Sequence, residues 1–200
     1  MSKLNLAPFL AASTYIDIQH ESIVKKAREL TQGLTEQHHV IKACFEFVRD
    51  DIKHSWDYQL NPITCKASDV LKHGTGYCYA KSHLLAALLR ANGVATGLCY
   101  QRLTITDEPP FCLHGLNAVY LNNEAEMKAG WYRIDARGNK EGVDAQFTPP
   151  VEKLAFPILT KGELDLPEVW HEPLPEVVKA LEKGKDYLDV AENLPDIQLF

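Results

Sequence analysis

"GTGYCYAKSHLLAALLRANG", residues 74–93, sets a cysteine between a glycine-containing turn and a long apolar segment. The residues from Tyr77 to about Ala91 suit a helix, and Gly93 stands where such a helix needs a residue free to adopt positive φ and stop it. With Cys78 at zero on a helical wheel, Ala80, Leu84, Leu85, Ala87, Leu88, Leu89 and Ala91 cover about half the circumference. Tyr79, His83 and Arg90 share one narrow polar strip. A helix apolar over so wide an arc is central and mostly buried.

A thiol at the first turn of that helix sits among unpaired backbone N–H groups and at the positive end of the macrodipole, both of which favour a thiolate. The same N–H groups can face an oxyanion formed by attack on a carbonyl. Cys78 is therefore the candidate nucleophile. Free cysteines are more often small buried hydrophobes, so its partners decide the reading.

Upstream, residues 21–30 and 36–52 carry apolar side chains at helical spacing, split by a turn at Gly33. Residues 67–72 read as a short helix. Downstream the period changes to two. "VATGLCYQRLTI" (94–105), "HGLNAVYL" (114–121) and "GWYRIDAR" (130–137) read as strands, the last two joined through the loop "NNEAEMKA" (122–129). Helices followed by strands predict an α+β fold in which the helix of Cys78 packs against an antiparallel sheet.

A reactive thiol needs a base, and His114 begins a strand whose neighbour ends in an acid. If Ala118 faces Trp131 across the hairpin, the antiparallel count sets Leu116 opposite Arg133 and His114 opposite Asp135, with Cβ atoms about 5 Å apart. An acid there orients the imidazole and stabilises its charged form, which completes a Cys78, His114, Asp135 set. The bland alternative is a surface ion pair of little worth.

Seven of the eleven prolines fall in the last 52 residues, where a compact core is hard to build. The expected organisation is a main domain over residues 1–150 and a strap over 151–200 lying on it. Short helices near 176–182 and 185–192 interrupt the strap. Lys and Arg number 21 against 27 Asp and Glu, and no basic run appears, so nucleic acid is not an expected partner. The N-terminal stretch holds one Lys and a short apolar run broken by Pro8, which suits neither a span nor a secretory signal and suggests a cytoplasmic protein without a membrane partner. Five cysteines without a CxxC pair suggest neither a disulfide framework nor a zinc ribbon, and no metal or organic cofactor is expected. The oligomeric state is left open.

"FVRDDIKHSWD", "ASDVLKHGTGYCYAKSHLLAALLRANGVATGL", "LHGLNAVYL" and "WYRIDARG" together resemble the transglutaminase-like superfamily, whose core is similar to a papain-type cysteine peptidase. The resemblance covers residues 45 to 138 and keeps the family's order of Cys, His and Asp; "FTPPVEKLAF" (147–156) resembles the continuation in short bacterial members. It implies attack of Cys78 on a peptide or protein carboxamide, a thioester, and resolution by water or an amine, with His114 as proton shuttle and Asp135 as its orienter. Hydrolysis is favoured over amine transfer, because excluding water needs a shaped tunnel. A non-catalytic peptide-binding module on the same fold is the rival. Many members carry "HAWVEV" where this chain has "HGLNAV", and His54 stands where the family often has a tyrosine. His54 is thus a possible oxyanion donor or a loop residue, and Trp56, Tyr77 and Tyr79 are candidates to line the cleft. Lys81, on a neighbouring face of the first helical turn, either favours a thiolate through its ammonium or is a solvated lysine near the helix end, the second being preferred; His73 and His83 read as structural or surface residues, and Cys44 and Cys99 as core.

Overall fold

The structure is a computed structural model that describes residues 4–123 and 128–197. Its elements are α1 (Glu21–Leu30), α2 (Gln37–Asp50), β1 (Lys53–His54), α3 (Ser55–Tyr58), α4 (Ala67–His73), β2 (Thr75–Gly76) and α5 (Cys78–Ala91), then β3 (Thr96–Thr104), β4 (Phe111–Asn123), β5 (Lys128–Ile134), β6 (Leu164–Asp165), α6 (Pro175–Lys183) and α7 (Tyr187–Glu192). This is the expected α+β layout.

Helix α5 is the centre of the molecule. It contacts α1, α2 and α4 as well as β3 and β4, and every residue from Cys78 to Arg90 is buried. The polar strip foreseen on this helix is therefore interior, which is tolerable only because its groups find partners. The Tyr79 hydroxyl donates to the Leu113 carbonyl, and His83 Nδ1 meets the Cys65 carbonyl oxygen at 2.8 Å. The Arg90 guanidinium donates to the carbonyls of Ala11, Thr96 and His171. Gly93, at φ +75°, ends the helix: its N–H donates to Arg90 O, and the Val94 N–H donates to Leu89 O.

The main sheet has the order β5-β4-β3-β6 and is antiparallel throughout. Its β4–β5 register corrects the sequence-based pairing by two residues. Ala118 pairs with Arg133 and Asn117 with Ile134, where the stop of β5 leaves Asp135 just past the strand. Both strands also extend into the foreseen loop, to Asn123 and from Lys128; residues 124–127 of that loop lie outside the described residues. A slip of one residue would have turned every side chain to the opposite face, whereas a slip of two preserves the face. His114 and Asp135 therefore stay on a common face as diagonal neighbours instead of direct ones.

Two short pairings escape sequence reading because two residues carry no period. β1 pairs in parallel with β2, Lys53 with Thr75 and His54 with Gly76, which ties His54 to the turn before Cys78. β6 adds to the edge of β3 through Gln101–Asp165 and Arg102–Leu164. Beyond it, Trp170 exchanges both backbone hydrogen bonds with Leu98, at 2.7 and 2.9 Å. The two later helices carry ordinary start signals: Pro175 opens α6, and the Asp186 side chain accepts from the N–H groups of Leu188 and Asp189 to cap α7. Among the described residues no helix is long and apolar enough to cross a membrane.

Candidate active site

Cys78 occupies the first position of α5 with no side-chain cap beside it, so the opening N–H groups of the helix lack intrahelical acceptors. The residue is 8% exposed and lines a cleft of about 500 Å³. Strand β4 passes close by: the Gly115 N–H donates to Cys78 Sγ at 3.4 Å. That approach depends on glycine. A Cβ on residue 115 would lie 2.9 Å from Tyr79 Cδ1 and 3.1 Å from Tyr79 Cα, and the second atom is backbone that cannot swing aside. Gly115→Ala is expected to push β4 away from the start of α5, at a cost of about 1–3 kcal/mol. Thermal unfolding should register the cost, and slower alkylation of Cys78 the displacement.

His114, one residue before Gly115, is buried with its Nε2 2.8 Å from Asp135 Oδ2. Burial alone would push this imidazole down. The charge of Asp135, the facing Cys78 sulfur and hydrogen bonds to both outweigh it and hold His114 up at about 10. Asp135 is fully buried, which by itself would raise its carboxyl. The His114 charge and hydrogen bond instead hold it below the ordinary carboxylate range, helped by the backbone N–H groups of Ala155 (3.0 Å to Oδ2) and Arg137 (3.1 Å to Oδ1). The Phe156 ring stands edge-on to His114, with centroids 5.0 Å apart. A segment far along the chain thus supplies an amide to Asp135 and a wall to His114. The sequence signal was slight, because a backbone N–H leaves no mark in a list of side chains.

The four secondary candidates all line the cleft, in different ways. Tyr77 and Tyr79 are buried with their hydroxyls committed to the carbonyls of Tyr187 and Leu113. Trp56 is 47% exposed at the rim. His54 is buried edge-on to Tyr77, and its Nδ1 has no hydrogen-bond partner, the nearest carboxylate oxygen being Asp57 Oδ2 at 3.7 Å. Burial, and after it the Arg137 guanidinium, push His54 well below its ordinary value, so its ring is neutral. Arg137 grips Asp57 with both Nη atoms, at 2.5 and 3.0 Å, and Lys140 Nζ joins at 2.7 Å. This bidentate pair fastens α3, with Trp56, to the chain just beyond Asp135.

Lys81 corrects the sequence reading. Far from solvated, it is 1% exposed and donates to the carbonyls of Ile52 and Arg49 at the end of α2. Burial, reinforced by Arg137, pushes its ammonium down to about 7. A lysine after a cysteine in the first turn reads as surface only while the packing of α2 over that turn is unknown. The thiols of Cys44, Cys65, Cys99 and Cys112 are each pushed up to about 12 by burial. Among the described residues no group of three or more His, Cys, Asp or Glu side chains is placed to hold a metal ion.

The model of the transglutaminase-like superfamily matches residues 24–136, more than half of the chain. The chain belongs to that superfamily. Among solved structures it is similar to a candidate cysteine protease from Cytophaga hutchinsonii, at 19% identity and a TM-score of 0.52, over 68% of this chain and 43% of that one. A candidate protease from Parabacteroides distasonis is also similar, at 11% identity and a TM-score of 0.43, over 76% of this chain and 32% of that one. The chain therefore spans less than half the length of either, and at such identities the first likeness speaks to the fold alone. No curated protein is a significant sequence match.

Proposed function

We propose that this superfamily member is a thiol-dependent enzyme that hydrolyses peptide or protein carboxamides through Cys78, His114 and Asp135. The observation that carries this is the buried His114–Asp135 pair at 2.8 Å, whose imidazole shares one cleft with Cys78 at an uncapped helix start. Sγ attacks the carbonyl carbon with the proton already on His114, which is held up at about 10. The N–H groups at the start of α5 face the oxyanion, with the neutral His54 ring beside it in the cleft wall. The tetrahedral adduct collapses to a thioester as His114 gives its proton to the leaving amine. Water then attacks, His114 takes its proton, and the thiol and a carboxylate product are released.

Hydrolysis is favoured over amine transfer because the cleft rim is open to water at Trp56 and Ile105, 47% and 66% exposed. A panel of acylated peptide amides, incubated with and without a fluorescent primary amine, tests the reading. Carboxylate product from wild type and none from Cys78→Ser is the expected result. Fluorescent amine incorporated in its place would assign transfer, and no product of either kind with any carboxamide would leave the binding-module reading.

A further inference from the structure

Strand β5 stops at Ile134, opposite Asn117, so residues 111–116 of β4 have an edge that no strand of the main sheet covers. Two successive amides on that edge point outward, those of Leu113 and Gly115. Gly115 meets Cys78 Sγ, and Leu113 donates to the Pro195 carbonyl at 2.7 Å. Pro195 belongs to the segment that leaves α7. Its neighbour Leu194 packs half-buried in the cleft wall that holds Cys78, together with Leu103, Leu113 and Phe156. Asp196 is then gripped by Arg102, Nε to Oδ1 and Nη2 to Oδ2, both at 2.7 Å.

An extended chain repeats every two residues, about 7 Å. One whose carbonyl is held by the Leu113 N–H therefore presents the carbonyl two residues away to Gly115, beside Cys78. The chain's own segment satisfies only the first contact, because on one side it turns into α7 instead of continuing extended, with Asn193 N–H bonded back to Val190 O. It occupies the groove without offering a carbonyl to the thiol.

We propose that residues 194–197 are a built-in occupant of the peptide groove, and that a substrate enters as an extended segment with an aliphatic side chain in the place of Leu194, by displacing them. This rests on the assignment of Cys78 as the reactive thiol.

The test compares iodoacetamide with an extended probe, acetyl-Ala-Leu-Gly chloromethyl ketone, on wild type, Arg102→Ala and Leu194→Asp. Loss of a partly exposed bidentate clamp is expected to raise the rate of the extended probe at Cys78 about fivefold. Loss of the half-buried leucine should raise it about tenfold. Iodoacetamide rates should stay within about twofold, since a small reagent does not need the edge of β4. A peptide of residues 189–197 added in trans should slow the extended probe on both variants, and its Leu194→Asp form should not. Equal rates of the extended probe on all three proteins would overturn the proposal. Iodoacetamide that fails to single out Cys78 would instead sink the thiol assignment. In that event a fluorescent 189–197 peptide still reads the groove by anisotropy: binding to Leu194→Asp but not to wild type supports the tail as occupant, and equal or absent binding refutes it.

Discussion

In His114→Ala, iodoacetamide is expected to modify Cys78 roughly 10²-fold more slowly than in wild type at mildly acidic pH, while the other four cysteines are unaffected. Removing the imidazole takes away the positive charge facing the sulfur. The Gly115 N–H and the free start of α5 remain, so reactivity should fall without vanishing. The other thiols provide the internal reference, because burial holds each of them up at about 12. Peptide mapping by mass spectrometry across a pH series checks all five at once. A Cys78 rate indifferent to His114 would refute the pairing and with it the proposed chemistry.

A second large effect concerns stability against pH, where two buried cations oppose one another. His114 sits at about 10 in the folded protein against 6.5 unfolded. Its contribution is complete below pH 6.5 and is lost as the pH climbs through about 10, because the native state keeps a proton that the unfolded chain has released. Lys81 has the reverse sign. Held down at about 7 against 10.5 unfolded, it has released a proton that the unfolded chain still binds, so its effect on stability becomes more favourable over that interval. Each full proton of difference is worth about 1.4 kcal/mol per pH unit. The wild type should therefore be nearly flat between roughly pH 7 and 8, a window that stays below the free-thiol value of about 8.5.

Lys81→Met leaves the Ile52 carbonyl without its donor and is expected to cost about 1–3 kcal/mol at neutral pH. The diagnostic quantity is its slope relative to wild type, a fall of about 1 kcal/mol from roughly pH 7 to 8 as the His114 contribution is unmasked. Asp135→Asn does the opposite. Without the carboxylate, His114 loses the largest influence that holds it up and falls, so the Lys81 contribution is less opposed and stability should rise with pH across the same window. The substitution also sets an amide N–H₂ among the donors of Ala155, Arg137 and His114, which lowers stability at every pH. Urea unfolding of the three proteins over the pH series measures all of this. Parallel profiles would show that neither group titrates as the packing requires.

The helix of Cys78 was legible because its signal is local: apolar residues over most of its surface, a cysteine at its start, and Gly93 to stop it. The strands after it were legible from their alternation, and the diagonal contact of His114 with Asp135 survived a register error of two because strand faces repeat every two residues. The pairing β1–β2, the edge strand β6 and the interior position of Lys81 were not legible. They depend on which elements pack together, and nothing in the neighbouring residues records it.

Residue types and their periods were thus enough to fix the α+β class, the central helix and the order thiol, imidazole, carboxylate along the chain. Tertiary structure alone decided what surrounds them. Gly115 is required because Tyr79 backbone lies against it, Asp135 is held by an amide from residue 155, and the edge of β4 is filled by the carbonyl of Pro195. Each of these contacts joins a backbone group to a distant part of the chain. Backbone groups are the same at nearly every residue, so their partners are specified only when the whole chain has folded.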